Sequence, residues 1–493
     1  MEHSPAPGEL VDQRAGAGPD SSGRHALKRS LGTGAIIFMV LAAAAPLTAT
    51  TGVLPLSILF SENSAAPLYF LVAVAVLGLF SVAYTAMSKT VQNAGAFYSY
   101  IEAGLGRTVG NAAAMLALGA YALTVLALTT YAGPFASQLA ASFTPWDDSP
   151  WWLWSILCWA VLMFLGYREI ELSSKVLAVL LALEAVVILI LSMAILVQGG
   201  ADGVSLSPLS PKQAFTDGSP ATGIMWAALC FIGFEATAVF RQEARDPERT
   251  IPRATYLAIL LIGTLYAFTA WSIVLGAGAD DVVGTIGSDP SGVVFGLANG
   301  YVGTWFADVI NVLLLGSIFA CALSFHNVVN RYQMTMSRAG VLPQRVGRIH
   351  HRYRVPSTAS AVLSGLVFVA LAVVAVIGLD PATQVFAPLV GILGFAVISL
   401  MSLASLSAVF YLRRQRSRAS AFTTTVAPIG ALIALIWVLS LSFSNIEIIT
   451  GSATGSAIVI SLMIAFPVIG AITSWVVRPG GGSSPAPEKA PAD

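Results

Sequence analysis

Apolar residues run through this chain in long, nearly unbroken stretches, separated by short polar segments rich in Arg, Asp, Gly and Pro. A helix needs roughly 20 apolar residues to cross a bilayer. Twelve stretches meet that measure, at about 31–57, 67–88, 110–137, 151–167, 172–197, 221–240, 254–277, 303–329, 357–378, 383–411, 422–443 and 454–477. The pattern predicts an all-α polytopic membrane protein. Residues 1–30 and 478–493 are polar, and their Gly, Pro and Ser content predicts disordered tails. The first apolar stretch begins late, after Arg24-His25-Ala26-Leu27-Lys28-Arg29. That placement favours a retained first helix over a cleaved signal peptide.

Composition supports the same class. Of 493 residues, 56% are hydrophobic and only 10% charged, against about 25% charged in soluble domains. The 25 basic and 25 acidic residues cancel, which argues against a nucleic-acid partner. With the twelve spans in place, every Lys and Arg except Lys212 falls on one face. Basic residues gather on the cytoplasmic side. Both termini are therefore expected in the cytoplasm, with the spans in a bacterial-type plasma (inner) membrane. Cys158, Cys230 and Cys321 lie far apart in apolar runs. They read as core residues, and no metal or other cofactor is expected.

Two spans carry helix-breaking sequence at membrane depth. Span 1 contains Pro46-Leu47-Thr48-Ala49-Thr50-Thr51-Gly52. Pro46 removes a backbone donor and clashes with the carbonyl four residues back, and Gly52 weakens the helix further. Span 6 contains Phe231-Ile232-Gly233-Phe234-Glu235, with Gly233 ~18 Å from an outer edge near Ala221. Unpaired backbone groups cost several kcal/mol each in lipid, so a broken helix survives only where it lines a protein cavity. Half-helix N-termini offer N–H groups to a carboxylate, and half-helix C-termini offer carbonyls to an ammonium. Spans 1 and 6 are five helices apart and enter from opposite sides. Their breaks predict inverted repeats over residues 31–197 and 221–411, followed by two more spans over 422–477. A major facilitator plan would pair spans 1 and 7, which the breaks do not.

Phe231 to Glu235, followed by Glu243-Ala244-Arg245-Asp246-Pro247-Glu248-Arg249-Thr250-Ile251-Pro252, resembles the sixth-helix signature of the amino acid–polyamine–organocation (APC) superfamily permeases. Residues Asn93 to Tyr100 resemble that family's stretch before helix 3, and Asn330 to Pro343 its loop after helix 8. The resemblance implies the leucine-transporter fold: 12 transmembrane helices as a 5+5 inverted repeat plus two, with helices 1 and 6 discontinuous. It also implies secondary-active transport of an amino acid or related amine. In the family, a Gly-Ser-Gly-like turn in helix 1 binds the substrate carboxylate; Thr50-Thr51-Gly52 correspond to it. The helix 6 break supplies carbonyls and a gating aromatic, for which Phe231 and Phe234 are the matching residues. The expected substrate-binding set is Pro46, Thr48, Ala49, Thr50, Thr51, Gly52, Tyr121, Phe231, Ile232, Gly233 and Phe234.

Glu184, Glu235 and Asp308 are the acids within spans. A charge at mid-helix costs about 2.5–3.5 kcal/mol on insertion scales, so each invites a functional reading. Glu235 follows the helix 6 break, as an organiser of the unwound segment, a proton acceptor or a structural post. Glu184 lies ~18 Å into span 5, near where some permeases resembling this one carry a lysine that stands in for sodium. A protonatable Glu184 is the corresponding coupling candidate, against a structural role. Asp308 reads as a solvated helix end. His326 is a gating or proton candidate, against a structural hydrogen bond. Ser324 is the candidate helix 8 hydroxyl facing helix 1. Tyr121 either closes over a substrate or packs.

No GxxxxGK[ST], HExxH or GxSxG is present. Energy is therefore expected from a gradient, by proton coupling or exchange, and no enzymatic activity is expected. The expected partners are a small-molecule substrate, a coupling proton and membrane lipid; the oligomeric state is left open. A neutral amino acid is the first expectation for substrate. The alternatives are a cationic amine or polyamine carrier of the same fold and, behind it, a non-transporting membrane sensor or a membrane enzyme.

Overall fold

The computed structural model describes residues 32–91, 96–146, 149–168, 174–235, 237, 244–348, 356–415, 420–450 and 452–476. The expected tails lie outside these residues, as do Asn93, Ala94, Gly95 and Glu243 of the signature motifs. Among the described residues, 10 helices are long and apolar enough to cross a membrane. They are α3 (Ala66–Ser88), α5 (Arg107–Ala141), α6 (Trp151–Arg168), α7 (Ser174–Val197), α9 (Pro247–Ala277), α12 (Thr304–Arg338), α13 (Ser357–Ile377), α14 (Pro381–Arg414), α15 (Phe422–Ser444) and α16 (Ala453–Val476). The shorter helices include α1 (Thr33–Ala43), α2 (Pro46–Ser61), α4 (Ala96–Leu105), α8 (Pro220–Leu229), α10 (Val282–Ser288) and α11 (Val293–Tyr301), with single turns at Pro211–Thr216 and Ile446–Thr450. The chain is a multi-pass helical membrane protein.

Side-chain burial follows from two solvents, protein on one side and lipid on the other. On α13, Leu366, Val369, Val373 and Val376 are exposed, while Leu363, Val367, Leu371 and Val374 are buried. Both rows are apolar, because lipid is as apolar as the core. Helices α5, α12 and α14 form the interior, with α5 packed on α12, α14 and α16. Glycine sets the closest crossings: a Cβ at Gly470 of α16 would meet the backbone of Asn111 and Ala112 on α5.

The first span is not one helix. α1 ends at Ala43, and Ala45 takes a left-handed conformation at φ 45°. That conformation costs a non-glycine residue of order 1–3 kcal/mol. Pro46 then opens α2, where its missing N–H needs no partner. The interruption thus lies at Ala44–Ala45, before the Thr50-Thr51-Gly52 turn on which the sequence reading centred. Those three residues sit inside a wide π-type turn, Ala49–Val53, that stays helical. Proline dictates this: it starts a helix more readily than a downstream Thr-Thr-Gly ends one.

Span 6 behaves differently. α8 stops at Leu229, and residues 230–235 run on as tight turns. The N–H groups of Phe231, Ile232 and Phe234 reach back three residues, to Ala228, Leu229 and Phe231. Gly233 has φ 111°, which L side chains rarely adopt. α2 and α8 are tied together: Ser57 Oγ donates to the Gly223 carbonyl at 2.9 Å, and the Ser219 N–H to the Ser61 carbonyl at 2.8 Å. α2 and α8 therefore lie side by side.

Candidate functional site

The N–H groups freed at the start of α2 are held by other helices. The Leu47 N–H donates to Glu184 Oε2 of α7 at 3.0 Å. Next to it, the Thr48 N–H points to Ser317 Oγ of α12 at 3.4 Å, and Thr48 Oγ1 donates to the same oxygen at 2.9 Å. All four residues are buried. A carboxylate at a helix N-terminus is stabilised by the aligned peptide dipoles. No described basic side chain forms an ion pair with Glu184; the start of α2 is the positive end it faces.

Beside this junction lies a central cavity of about 60 Å³. Its walls come from the first span (Ala44, Ala45, Thr48, Ala49, Val53), α5 (Thr124, Leu128), the sixth span (Leu229, Cys230, Ile232), α12 (Cys321, Phe325) and α14 (Phe386, Val390, Leu393). The lining is apolar apart from two threonines and two thiols. Among the described lining residues no side chain is charged, so backbone at the helix ends and the two threonine hydroxyls are the polar groups a charged ligand group can meet.

Aromatic clusters flank the cavity at both ends, each a closure of ring on ring. At one end Phe386 stacks on Tyr131 with centroids 4.1 Å apart, and Phe135 and Phe295 continue the stack. Tyr131 also donates to the Thr51 carbonyl at 3.3 Å. Gly52 belongs to this closure, since a Cβ there would lie 2.9 Å from Phe386 Cζ and 3.3 Å from Tyr131 Cε1. At the other end Phe325 packs on Tyr121 at 5.5 Å, and Tyr121 on Tyr332 at 5.9 Å. Tyr121 and Tyr131 are ten residues apart on α5, so ~15 Å along its axis. Thr124 and Leu128 line the cavity between them.

Of the residues expected to bind substrate, Thr48, Ala49 and Ile232 line the cavity. Pro46 lines a smaller void that it shares with Glu184 and Ser317. Thr50 is buried, its hydroxyl without a hydrogen-bond partner. Thr51 and Gly52 serve the Tyr131 closure, and Tyr121 the opposite one. Phe231 packs edge-on against Tyr266 of α9. Phe234 joins Phe80 and Tyr84 of α3. Gly233 gives its N–H to Glu235 Oε2 at 2.9 Å, and the Glu235 carbonyl accepts from Tyr84 Oη at 2.9 Å. Glu235 thus braces its own turn.

One expectation on α12 changes. Ser324 is exposed and bonds the Ala320 carbonyl of its own helix, so it does not face the first span. Ser317, two turns earlier, is the hydroxyl that does. Seven residues bring both serines to nearly the same helix face, so periodicity alone could have offered Ser317 as well. His326 is buried on the side away from α2, its Nε2 2.9 Å from Ser360 Oγ of α13 and its ring against Gly166 of α6. Asp308 is exposed near the start of α12.

The sequence matches known proteins. The profile of the family described as amino acid permease matches residues 36–477. The low-affinity putrescine importer PlaP of Escherichia coli (strain K12) is 23% identical over 292 residues, 57% of this chain and 62% of that protein. The branched-chain amino acid permease BcaP of Lactococcus lactis subsp. cremoris is 24% identical over 310 residues, 57% of this chain and 63% of that protein. An uncharacterised transporter of Mycobacterium tuberculosis is 31% identical over 159 residues, 31% of this chain and 33% of that protein. The chain thus spans less than two thirds of the length of each of these relatives.

Proposed function

Because this chain belongs to the amino acid permease family, we propose that it is a secondary-active transporter carrying an amino acid or a related amine by alternating access. The observation that carries this reading is the cavity at the start of α2 and the end of α8, lined from both halves of the chain and flanked by aromatic side chains. A site shared by both halves is what alternating access by rocking one half against the other requires. We read the architecture as twelve spans, with residues 31–197 and 221–411 as inverted five-helix repeats and residues 422–477 as the last two. The broken first and sixth spans then correspond. The distribution of Lys and Arg supports cytoplasmic termini in a bacterial-type plasma membrane.

A substrate's aliphatic body fits the apolar walls, and its charged group meets backbone at the interruptions. Relatives named for putrescine and for branched-chain amino acids support this, since both ligands are short aliphatic chains with charged ends. Glu184 is the proposed coupling group. Protonating its carboxylate removes the negative charge at the start of α2 and weakens the hold on Leu47. A proton and the position of α2 are thereby linked.

Counterflow in proteoliposomes tests the reading. Vesicles loaded with an unlabelled amino acid or diamine should accumulate the labelled compound against its gradient. No counterflow across a panel of amino acids and amines would sink it.

A further inference from the structure

The central cavity has a larger neighbour that the transport reading does not use. Helices α5, α6 and α12 diverge around a groove of about 440 Å³. Small residues create it: Ala132 and Ala136, one turn apart on α5, face Gly316 and Ala322 of α12. Its outer wall is α6, where Leu157 and Val161 also lie exposed on the surface that meets lipid. The groove is therefore continuous with the hydrocarbon around the protein.

Nothing in it would hold water. The Thr129 hydroxyl is spent on the Val125 carbonyl of its own helix, and Trp154 Nε1 on Ser149 Oγ. A space without free polar partners stays dry, and only an apolar group fills it. The groove also has a direction. One end is marked by Trp154, beside Trp151 and Trp152 at the start of α6. Such tryptophans sit at headgroup level. From Trp154 to Leu162 the groove then descends ~12 Å toward the membrane centre. That is the path of an acyl chain whose headgroup stays at the interface.

We propose that this groove binds one acyl chain of a membrane phospholipid. The chain would lie against Leu128, a residue that walls both the groove and the central cavity. Leu128 is then a side chain that the lipid and the transport site have in common.

The test uses the full chain in phospholipid vesicles containing a phosphatidylethanolamine with a photoreactive diazirine halfway along one acyl chain. After illumination, adducts on the peptide covering 315–322, which has no exposed residue, should exceed those on the lipid face of α13 (Leu366, Val369). Two substitutions that fill the groove, Cys158→Phe and Ala136→Phe, should lower the groove adducts at least about tenfold and leave the α13 adducts unchanged. Groove adducts no denser than those on α13 in the wild-type protein would mean annular lipid only and overturn the proposal. So would undiminished adducts in both filled variants. Transport is not the readout, so the result stands whether or not the permease reading does.

Discussion

The Glu184 carboxylate takes the Leu47 N–H at 3.0 Å and so joins α7 to the first turn of α2, just beyond the left-handed Ala45. Both residues are buried. Glu184→Gln keeps an acceptor for the N–H and removes the charge. We expect uptake by this variant to lose its dependence on pH between about 5.5 and 8, with little loss of stability. Glu184→Ala leaves the N–H without its partner and should cost about 1–3 kcal/mol of stability. Uptake and thermal melting across that pH range check both. A Gln variant with the wild-type pH profile would remove Glu184 from coupling.

Ser317 and Ser324 make a matched pair for the geometry at Thr48. Ser317→Ala loses the contacts with the Thr48 hydroxyl and N–H, inside the protein. Net hydrogen bonds are worth about 0.5–1.5 kcal/mol each, so a fall in melting temperature of a few degrees should accompany reduced uptake. Ser324→Ala removes only an exposed hydroxyl bonded to its own helix and should change stability by no more than about 0.5 kcal/mol. Equal effects from the two would place the first span elsewhere.

Hydrophobicity is local, and that is why the span list was legible. Each stretch announces itself without knowledge of its neighbours, and the ten long helices coincide with ten of the twelve predicted stretches. Depth and rotation are not local. Ser317 and Ser324 share a helix face, so only tertiary packing decides which turn of α12 meets Thr48. The interruption in span 1 was readable to within a few residues, because Pro46 marks it. The Thr-Thr-Gly run drew attention six residues too far, since a π-type turn relieves Gly52 without ending the helix. Glu184 stood out as an acid in an apolar run. Its partner, a backbone N–H, has no sequence signature at all.

Gly52 sits against the contact between Phe386 and Tyr131, beside the cavity. Adding a methyl group requires Phe386 and Tyr131 to move apart, because the new atom would lie 2.9 Å from one ring and 3.3 Å from the other. Overpacking of this kind costs about 1–3 kcal/mol, charged here to the closed state. Gly52→Ala should therefore lower uptake by roughly tenfold or more and leave the protein folded. Tyr131→Phe keeps the 4.1 Å stack and gives up only the hydrogen bond to the Thr51 carbonyl. Its loss should be near the ~1 kcal/mol of one neutral hydrogen bond. Initial uptake rates in vesicles rank the two; a reversed order would mean that the hydrogen bond, and not the ring contact, holds the closure.

His326 provides the opposite case, a titratable group whose surroundings argue for structure. Its Nε2 meets Ser360 Oγ, and its ring fills the space beside Gly166. These contacts join α12 to α13 and α6, away from α2. His326→Ala should leave a cavity and an unpartnered serine, costing about 2–4 kcal/mol, seen as a drop in melting temperature. His326→Gln offers Ser360 a partner again and should recover part of that loss. Neither variant should alter the shape of the pH profile of uptake. Melting and uptake measured on the same preparations separate the roles: a flattened pH profile in His326→Gln with unchanged melting would make His326, not Glu184, the proton-responsive group.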